Sequence, residues 1–285
     1  MLDLQLLRSF IAVAECGGFR SASERLHATQ STVSQQIKRL EDELGRSLFR
    51  RTTRSVALTH DGEALLGPAR RLLQHEEDVR HHLIGPRLSG TVRLGAVEEV
   101  ASSVLPPALG RFSRLYPDVR LEVVVDVSAV LIGQVDRNEL DLALAKRPWG
   151  TSRGHVVWRE QMVWAASETF ELPPPTGPLP LALYRGSTVS RVAALEALRR
   201  SERPWKIVYT SPSLTGVRAA ALAGLAVTPL PRSALCPGLR ALPEVRGVPP
   251  LPELEFVVLT QSHPDAATAE MGALLAALAP TPGAT

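Results

Sequence analysis

The chain has 285 residues, of which 45% are hydrophobic and 21% are charged, and its formal net charge is +3. These values fit a globular protein with two domains and exclude a largely disordered chain. No apolar run approaches the roughly 20 residues that a membrane-spanning helix needs, and the N-terminus has no signal-like segment, so we expect a cytoplasmic protein without a membrane partner.

Three short helices are predicted at the N-terminus. Apolar residues recur at helical spacing from Leu4 to Ala14 and end at Gly17-Gly18, and a second helix over 20–26 is followed by a turn at 27–29. A third helix begins at Gln30 with Thr29 as its N-cap. Its spacing predicts a buried stripe that consists of Val33, Ile37, Leu40 and Leu44.

The opposite face of the third helix carries hydroxyl and amide side chains, and acids occur only at its far end. Such side chains near the start of a helix can contact DNA phosphates and base edges, and a lysine one turn later reaches the backbone. Two helices joined by a tight turn, with this outward face, are typical of a helix-turn-helix. We therefore predict DNA contacts from Gln30, Ser31, Thr32, Ser34, Gln35 and Lys38.

A basic stretch without acids follows between Gly45 and His60. Its pattern predicts two short strands, over 48–54 and 56–59, that form a wing lying on the flanking DNA backbone. Taken alone, the stretch would fit an arginine-rich surface loop equally well. With the preceding helices, it predicts phosphate contacts from Arg50, Arg51 and Arg54.

At this point the sequence resembles the LysR-type transcriptional regulators of bacteria. The resemblance rests on segments 19–26, 29–37, 40–41, 44–45 and 48–51, which match the signature of that family nearly residue for residue. It implies that residues 1–60 form a winged helix-turn-helix that binds double-stranded promoter DNA, and that RNA polymerase is a possible further partner.

A long linker helix is predicted to start at Thr59, where Asp61 and Glu63 favour a helix N-terminus, and to bend at Gly67-Pro68. Gly85-Pro86 breaks it before a short hinge, so the linker spans 61–89. The resemblance implies an antiparallel homodimer through this helix, commonly paired again into a homotetramer; packing on its own C-terminal domain is the alternative. The apolar residues that would form this contact recur along one face of the helix, interrupted at Glu76, and we call them the seam: Leu65, Ala69, Leu72, Val79 and Leu83.

Residues 90–285 alternate strand-like and helical runs, which predicts two α/β lobes, the first over 90–163 and 261–285 and the second over 164–260. The strand-like runs are 92–96, 119–127, 140–145, 179–183, 206–209 and 225–228, and the helical runs are 105–116, 129–137, 189–200, 214–223 and 266–279. Segments 90–95, 105–106, 116–117, 141–143 and 223–227 resemble the family's effector domain. The fold class is therefore α/β, an α-rich winged helix-turn-helix joined by a long helix to a two-lobed domain similar to periplasmic binding proteins.

The effector residues can be predicted only from their positions near strand ends, where ligands of α/β domains gather. Ser102 and Ser103 are predicted to open a helix after the first strand, although simple N-capping is the alternative. Lys146 follows the third strand as a possible counter-charge, while Glu98 and Glu99 speak against an acidic effector. The remaining candidates lie in the second lobe: Ser187, Thr188, Ser211 and Thr228.

Several functions compete for the C-terminal part. An enzyme is disfavoured because no GxGxxG, P-loop or GxSxG follows a strand, and we predict no catalytic residue, cofactor or metal site. A free solute-binding protein is disfavoured by the DNA-binding part, whereas a ligand-independent DNA-binding repressor or architectural protein remains an alternative. Cys16 and Cys236 are interpreted as small apolar residues, with redox sensing by Cys236 as the alternative.

Some segments point to one branch of the family, which includes LrhA, HexA and PecT and whose members regulate motility, surface behaviour and exported virulence factors, often as repressors. These segments are 180–183, 204–205, 217–220 and 249–252.

Overall fold

A computed structural model describes residues 2–51, 56–84, 86–243 and 248–278. The chain divides into two compact units, residues 1–86 and residues 87–285. Among the described residues, no helix has both the length and the apolar character that crossing a membrane requires.

The N-terminal unit is built from four helices and a two-stranded antiparallel wing. Its core is dominated by buried side chains of the first three helices, and the Phe10 and Phe49 rings pack against each other with centroids 5.4 Å apart. Phe49 therefore anchors the wing to the helices. The elements are α1 (Leu4–Cys16), α2 (Phe19–Arg25), α3 (Gln30–Leu44), β1 (Phe49–Arg51), β2 (Val56–Leu58) and α4 (His60–Ile84).

Helix α4 is uninterrupted through Pro68 and ends at Ile84. Thr59 starts it: the Thr59 hydroxyl donates to the Ser47 carbonyl at 2.7 Å and accepts from the Gly62 amide at 3.0 Å. Two ion pairs join α4 to α1, Arg70 to Glu15 at 2.9 Å and Arg8 to Glu76 at 2.7 Å.

The predicted seam of α4 divides into two parts. Leu65 and Ala69 pack into the core of the N-terminal unit, whereas Leu72 is 46% exposed and Val79 is 57% exposed. The Leu83 side chain lies outside the described residues. The first part of the predicted seam, which Glu76 interrupts, is therefore covered by the unit's own core, and its apolar positions further along the helix are exposed.

The first lobe of the C-terminal unit contains a mixed sheet in the order β4-β3-β5-β11-β6. Strands β3, β4 and β5 run parallel, while β11 pairs antiparallel with β5 and with the first half of β6. Helix α10 packs on β3 and on α6. The elements are β3 (Gly90–Ala96), α5 (Glu98–Ala101), α6 (Leu105–Leu115), β4 (Val119–Val125), α7 (Ser128–Asp136), β5 (Leu142–Lys146), β6 (His155–Ser167), β11 (Glu253–Thr260) and α10 (Ala266–Ala276).

The second lobe is built around the parallel pair of strands β7 and β8, with α8 between them along the chain and α9 after β8. Its other strands, β9 and β10, pair antiparallel with the second half of β6. The elements are β7 (Leu179–Tyr184), α8 (Val189–Arg200), β8 (Trp205–Ser211), α9 (Leu214–Leu222), β9 (Thr228–Pro231), a 3-10 turn (Arg232–Ala234) and β10 (Leu239–Ala241).

Strand β6 belongs to both lobes. Its residues 155–161 pair with β11, and its residues 162–167 pair with β9 and β10. The predicted second lobe runs to residue 260, but the pairing of β11 with β5 places residues 253–260 in the first-lobe sheet. An apolar strand pattern fits either sheet equally well, so the sequence does not reveal which partner it takes.

Gly62 provides a test of how the wing is held. A Cβ at this position would overlap the Leu48 carbonyl oxygen and lie 2.9 Å from Leu58 Cδ2. We expect Gly62→Ala to destabilise the N-terminal unit by about 1–3 kcal/mol, because β1 must shift. Far-UV circular dichroism during urea unfolding measures this.

Gly67→Ala is the matched control for that variant, because its Cβ meets only the flexible Arg71 side chain, at 3.5 Å. It should leave stability unchanged or raise it by up to about 1 kcal/mol. Equal stability of the two variants would show that Gly62 makes no close contact with the wing.

Candidate DNA-binding face and effector cleft

The rotation of α3 is fixed by its apolar side. Val33, Ile37 and Leu40 are fully buried. Ser9 of α1 adds a polar tie, since its hydroxyl donates to Gln36 Oε1 at 2.6 Å. These contacts leave one side of α3 facing solvent.

The predicted DNA-contacting residues of α3 share that free side. All are exposed except Ser34, which is half-buried. The turn before the helix is stabilised by Thr29, whose hydroxyl accepts from the Thr32 amide at 3.1 Å and lies 2.8 Å from the Ser31 hydroxyl. The exposed set is Gln30, Ser31, Thr32, Gln35 and Lys38.

The acids at the end of α3 have structural roles. Glu41 Oε1 accepts hydrogen bonds from the amides of Leu48 and Phe49, at 2.7 and 3.3 Å. Glu43 forms an ion pair with Arg39, one turn earlier, at 3.1 Å. Glu41 therefore fixes the start of the wing relative to α3.

The wing places Arg50 on an exposed strand position opposite Ala57. Arg51 ends β1, but its side chain lies outside the described residues, as does the whole of Arg54. Arg50 is thus the one predicted wing contact whose exposure the structure describes.

A cavity of about 180 Å³ lies between the two lobes of the C-terminal unit. Residues from the ends of β3, β4, β5 and β7 and from the starts of α5, α7 and α8 surround it. We call it the effector cleft, and its lining comprises Val97, Glu98, Glu99, Val125, Asp126, Val127, Ser128, Lys146, Tyr184, Thr188, Val189 and Pro212.

Lys146 is buried at the end of β5 and is held by groups from both lobes. Its ammonium donates to Glu99 Oε1 at 2.6 Å and to the hydroxyl of Ser190 in α8 at 3.1 Å. The side chains of Lys146 and Glu99 are only 7% and 6% exposed. The positive charge of Lys146 is therefore already paired inside the protein.

Glu98 links the first lobe to the N-terminus of α9 in the second lobe. Its Oε2 accepts from the Leu214 amide at 2.5 Å and lies 3.5 Å from the Tyr184 hydroxyl. Burial, together with the charges of Glu99 and Glu98, raises the pKa of Tyr184 well above its usual range, so its hydroxyl stays a neutral donor. A third link joins the Trp149 indole to the Val189 carbonyl, at 3.1 Å.

Two of the predicted effector residues, Lys146 and Thr188, line the cleft. Thr188 also caps α8, accepting from the Arg191 amide at 3.2 Å. Ser187 is exposed and outside the lining, Ser211 accepts from the Ser213 amide at the start of α9, and Thr228 is buried in β9.

Ser102 and Ser103 do not open a helix, contrary to prediction. They follow α5, and their hydroxyls donate to the carbonyls of Glu98 and Glu99 at 2.8 and 2.6 Å. The reason is that the chain turns into α5 directly after Val97, four residues earlier than expected.

Sequence reasoning missed Ser128, Asp126 and Tyr184 as cleft residues. Each lies at or just beyond the end of a strand that had been recognised, which is the one signal that would have found them. Within the described residues, no group of three or more His, Cys, Asp or Glu side chains is placed to hold a metal ion.

Comparisons with known proteins cover nearly the whole chain. Residues 4–63 match the family model "Bacterial regulatory helix-turn-helix protein, lysR family", and residues 86–280 match "LysR substrate binding domain". The HTH-type transcriptional regulator DgdR of Burkholderia cepacia is 37% identical over 94% of this chain and 92% of its own length. PecT of Dickeya dadantii is 34% identical over 90% of this chain and 80% of its own.

Solved structures share the fold. A mutant of Corynebacterium glutamicum OxyR matches with a TM-score of 0.50 and 26% identity over 96% of this chain and 92% of its own. Vibrio fischeri DarR, crystallised in complex with DNA, matches with a TM-score of 0.55 and 17% identity over 98% of this chain and 100% of its own.

The buried ion pair of the cleft can be tested by removing one partner. We expect Lys146→Met to destabilise the C-terminal unit by about 3–5 kcal/mol, because the Glu99 carboxylate is left buried without its counter-charge. All four tryptophans lie beyond residue 148, so their fluorescence during urea unfolding reports this unit.

The double variant Lys146→Met with Glu99→Gln is the control, and it should recover most of the lost stability. If the single variant is as stable as the unmodified chain, the pair is not enclosed as described.

Proposed function

The chain belongs to the LysR family of DNA-binding transcription regulators with an effector domain, and from this we propose that it reads promoter DNA with the free face of α3 under control of a small molecule in the effector cleft. The exposed polar side of α3, fixed by its buried stripe, carries this proposal. Membership of the PecT-like branch supports a repressor among the possible modes of regulation.

Base reading is assigned to the middle of the exposed face of α3. Gln35 has an amide suited to a bidentate contact with adenine in the major groove, and Ser31 and Ser34 are short enough to contact either base edges or phosphates. Lys38, one turn further along, suits the DNA backbone.

Phosphate binding is assigned to the wing. Arg50 is exposed, and the Glu41 carboxylate, which accepts hydrogen bonds from the amides of Leu48 and Phe49, sets the position of its strand. Contacts of this kind position the protein without reading sequence. Arg51 and Arg54 are proposed to act with it.

Assembly through α4 is proposed from its uncovered apolar positions. Leu72 and Val79 are exposed in the isolated chain, and an exposed apolar stripe on a long helix needs a partner. A homodimer, and from it a homotetramer, would present its helix-turn-helix units to successive major grooves roughly 34 Å apart.

Effector control is proposed as a population shift between lobe arrangements. The polar links that cross the cleft include Lys146 to Ser190, Glu98 to Leu214 and Trp149 to Val189. A ligand changes DNA binding only by its differential affinity for the arrangements that keep or break these links. A ligand-independent repressor would keep the same links whatever small molecule is added.

Two further assignments follow from family membership. We propose that the protein catalyses no reaction and acts in the cytoplasm, with RNA polymerase as a partner once it is bound at a promoter.

The division of labour between α3 and the wing can be tested with two alanine variants. We expect Gln35→Ala to lose about 1–3 kcal/mol of discrimination at one base pair, because its bidentate contact is removed. Arg50→Ala should weaken binding to all sequences and reduce the salt slope by roughly 1. Fluorescence anisotropy on operator and scrambled duplexes at several salt concentrations measures both.

Arg199→Ala removes an equal charge from an exposed arginine of the C-terminal unit, which pairs with Glu196, and should change neither quantity. Equal selectivity and equal affinity of all three variants would contradict the assignments.

Dimerisation through α4 can be tested at its two exposed apolar positions. Leu72→Glu with Val79→Glu should shift the chain from dimer to monomer in sedimentation equilibrium, because charges cannot be desolvated in an apolar interface. Leu72→Met with Val79→Ile keeps the surface apolar and should leave the dimer intact. A dimer that survives the glutamates is formed by another surface.

A further inference from the structure

We propose that the effector carries a cationic nitrogen, as in a small aliphatic amine, and that Glu98 and Asp126 determine this preference. The inference rests on the proposed role of the cleft and adds the chemical class of its ligand.

The strongest groups that would hold an acidic ligand, one ammonium and one helix N-terminus, are already engaged by carboxylates of the chain. The ammonium of Lys146 is paired with Glu99 and Ser190, and the Leu214 amide at the N-terminus of α9 donates to Glu98. The Tyr184 hydroxyl also lies toward Glu98, at 3.5 Å. A ligand carboxylate would have to compete with these internal acceptors for the same donors.

Acceptors remain available on the same wall. Asp126 is exposed, and among the described residues only the adjacent Val127 amide donates to it, to Oδ1 at 2.7 Å. Glu98 is half-buried and uses Oε2 for Leu214, while no donor within the described part of the chain reaches its Oε1. Two carboxylates therefore each have an oxygen free to accept from a ligand N–H.

The charge balance favours the same ligand class. Three carboxylates line the cleft, those of Glu98, Glu99 and Asp126, against the single ammonium of Lys146. Of the helix N-termini near the cleft, which would attract anions, those of α7 and α9 each lie beside one of these carboxylates, and that of α8 is capped by the Thr188 hydroxyl. An added anion would be repelled, whereas a cation gains two charge-assisted hydrogen bonds.

The size and the walls of the cleft restrict the rest of the ligand. About 180 Å³ accommodates a short aliphatic chain but no large ring system. The apolar part would contact Val97, Val125, Val127, Val189 and Pro212.

Matched amines and acids test the proposal with the full-length chain. The amines are n-propylamine, isobutylamine and putrescine. The matched acids carry a carboxylate in place of each amino group on the same alkyl chain, and they are butyrate, isovalerate and adipate. At about ten times its Kd, a bound amine should raise the Tm of the C-terminal unit by roughly 3–6 °C, and isothermal titration calorimetry should show one site. The acids should give neither effect.

Two variants assign the preference to its residues. Glu98→Gln keeps an oxygen for the Leu214 amide but removes the charge, and it should weaken amine binding at least about tenfold. Asp126→Asn, at an exposed position, should also weaken it. Glu122→Gln removes a carboxylate from β4 outside the cleft lining and should bind amines as the unmodified chain does.

Binding of an acid as tight as that of its matched amine would overturn the proposal, as would no binding by any amine, or equal loss with Glu122→Gln. None of these results touches the proposed function, which fails only if no small molecule that enters the cleft changes DNA binding in the anisotropy measurement.

Discussion

The burial of Val33, Ile37 and Leu40 is the constraint on which DNA binding depends. A helix has one rotational degree of freedom about its axis, and three fully buried side chains remove it. The polar face on the opposite side then points outward as a consequence. Glu41 extends the same constraint to the wing, because its carboxylate holds the amides at the start of β1.

The C-terminal unit differs from the DNA-binding helix, because the polar groups of its cleft point inward and contact one another. In the cleft, the ammonium of Lys146 is paired with the Glu99 carboxylate, and the amide at the N-terminus of α9 donates to the Glu98 carboxylate. Internal pairing of this kind stabilises one lobe arrangement, and we propose that the carboxylate oxygens left unpaired make the cleft selective.

Much of this could be predicted from sequence, because period and capping are local properties. The stripe of α3, its Thr29 cap and the bounds of α8 all follow from neighbouring residues. The features that the sequence did not predict depend on contacts between residues far apart in the chain. Strands β6 and β11 were not predicted, and the sheets they join depend on pairing between distant segments. Ser102 was misplaced because a single turn of helix, α5, has no periodicity to detect. Lys146 was predicted as a cleft residue because it lies at the end of a strand, but its pairing with Glu99, 47 residues away, could not be predicted.

Strand β6 has a mechanical consequence for the lobes it joins. At its midpoint the Met162 amide donates to the Pro252 carbonyl at 3.4 Å, and the Gln161 side chain donates to the Leu251 carbonyl at 2.5 Å. Strand β6 and the segment that leads from the second lobe into β11 are therefore hydrogen-bonded to each other where the chain passes between the lobes. Two hydrogen-bonded segments of extended chain resist sliding and stretching along their length, but they can still twist. We therefore expect any change in lobe arrangement to be a rotation about this point, so that a ligand bound far from it changes the angle between the lobes with the smallest force.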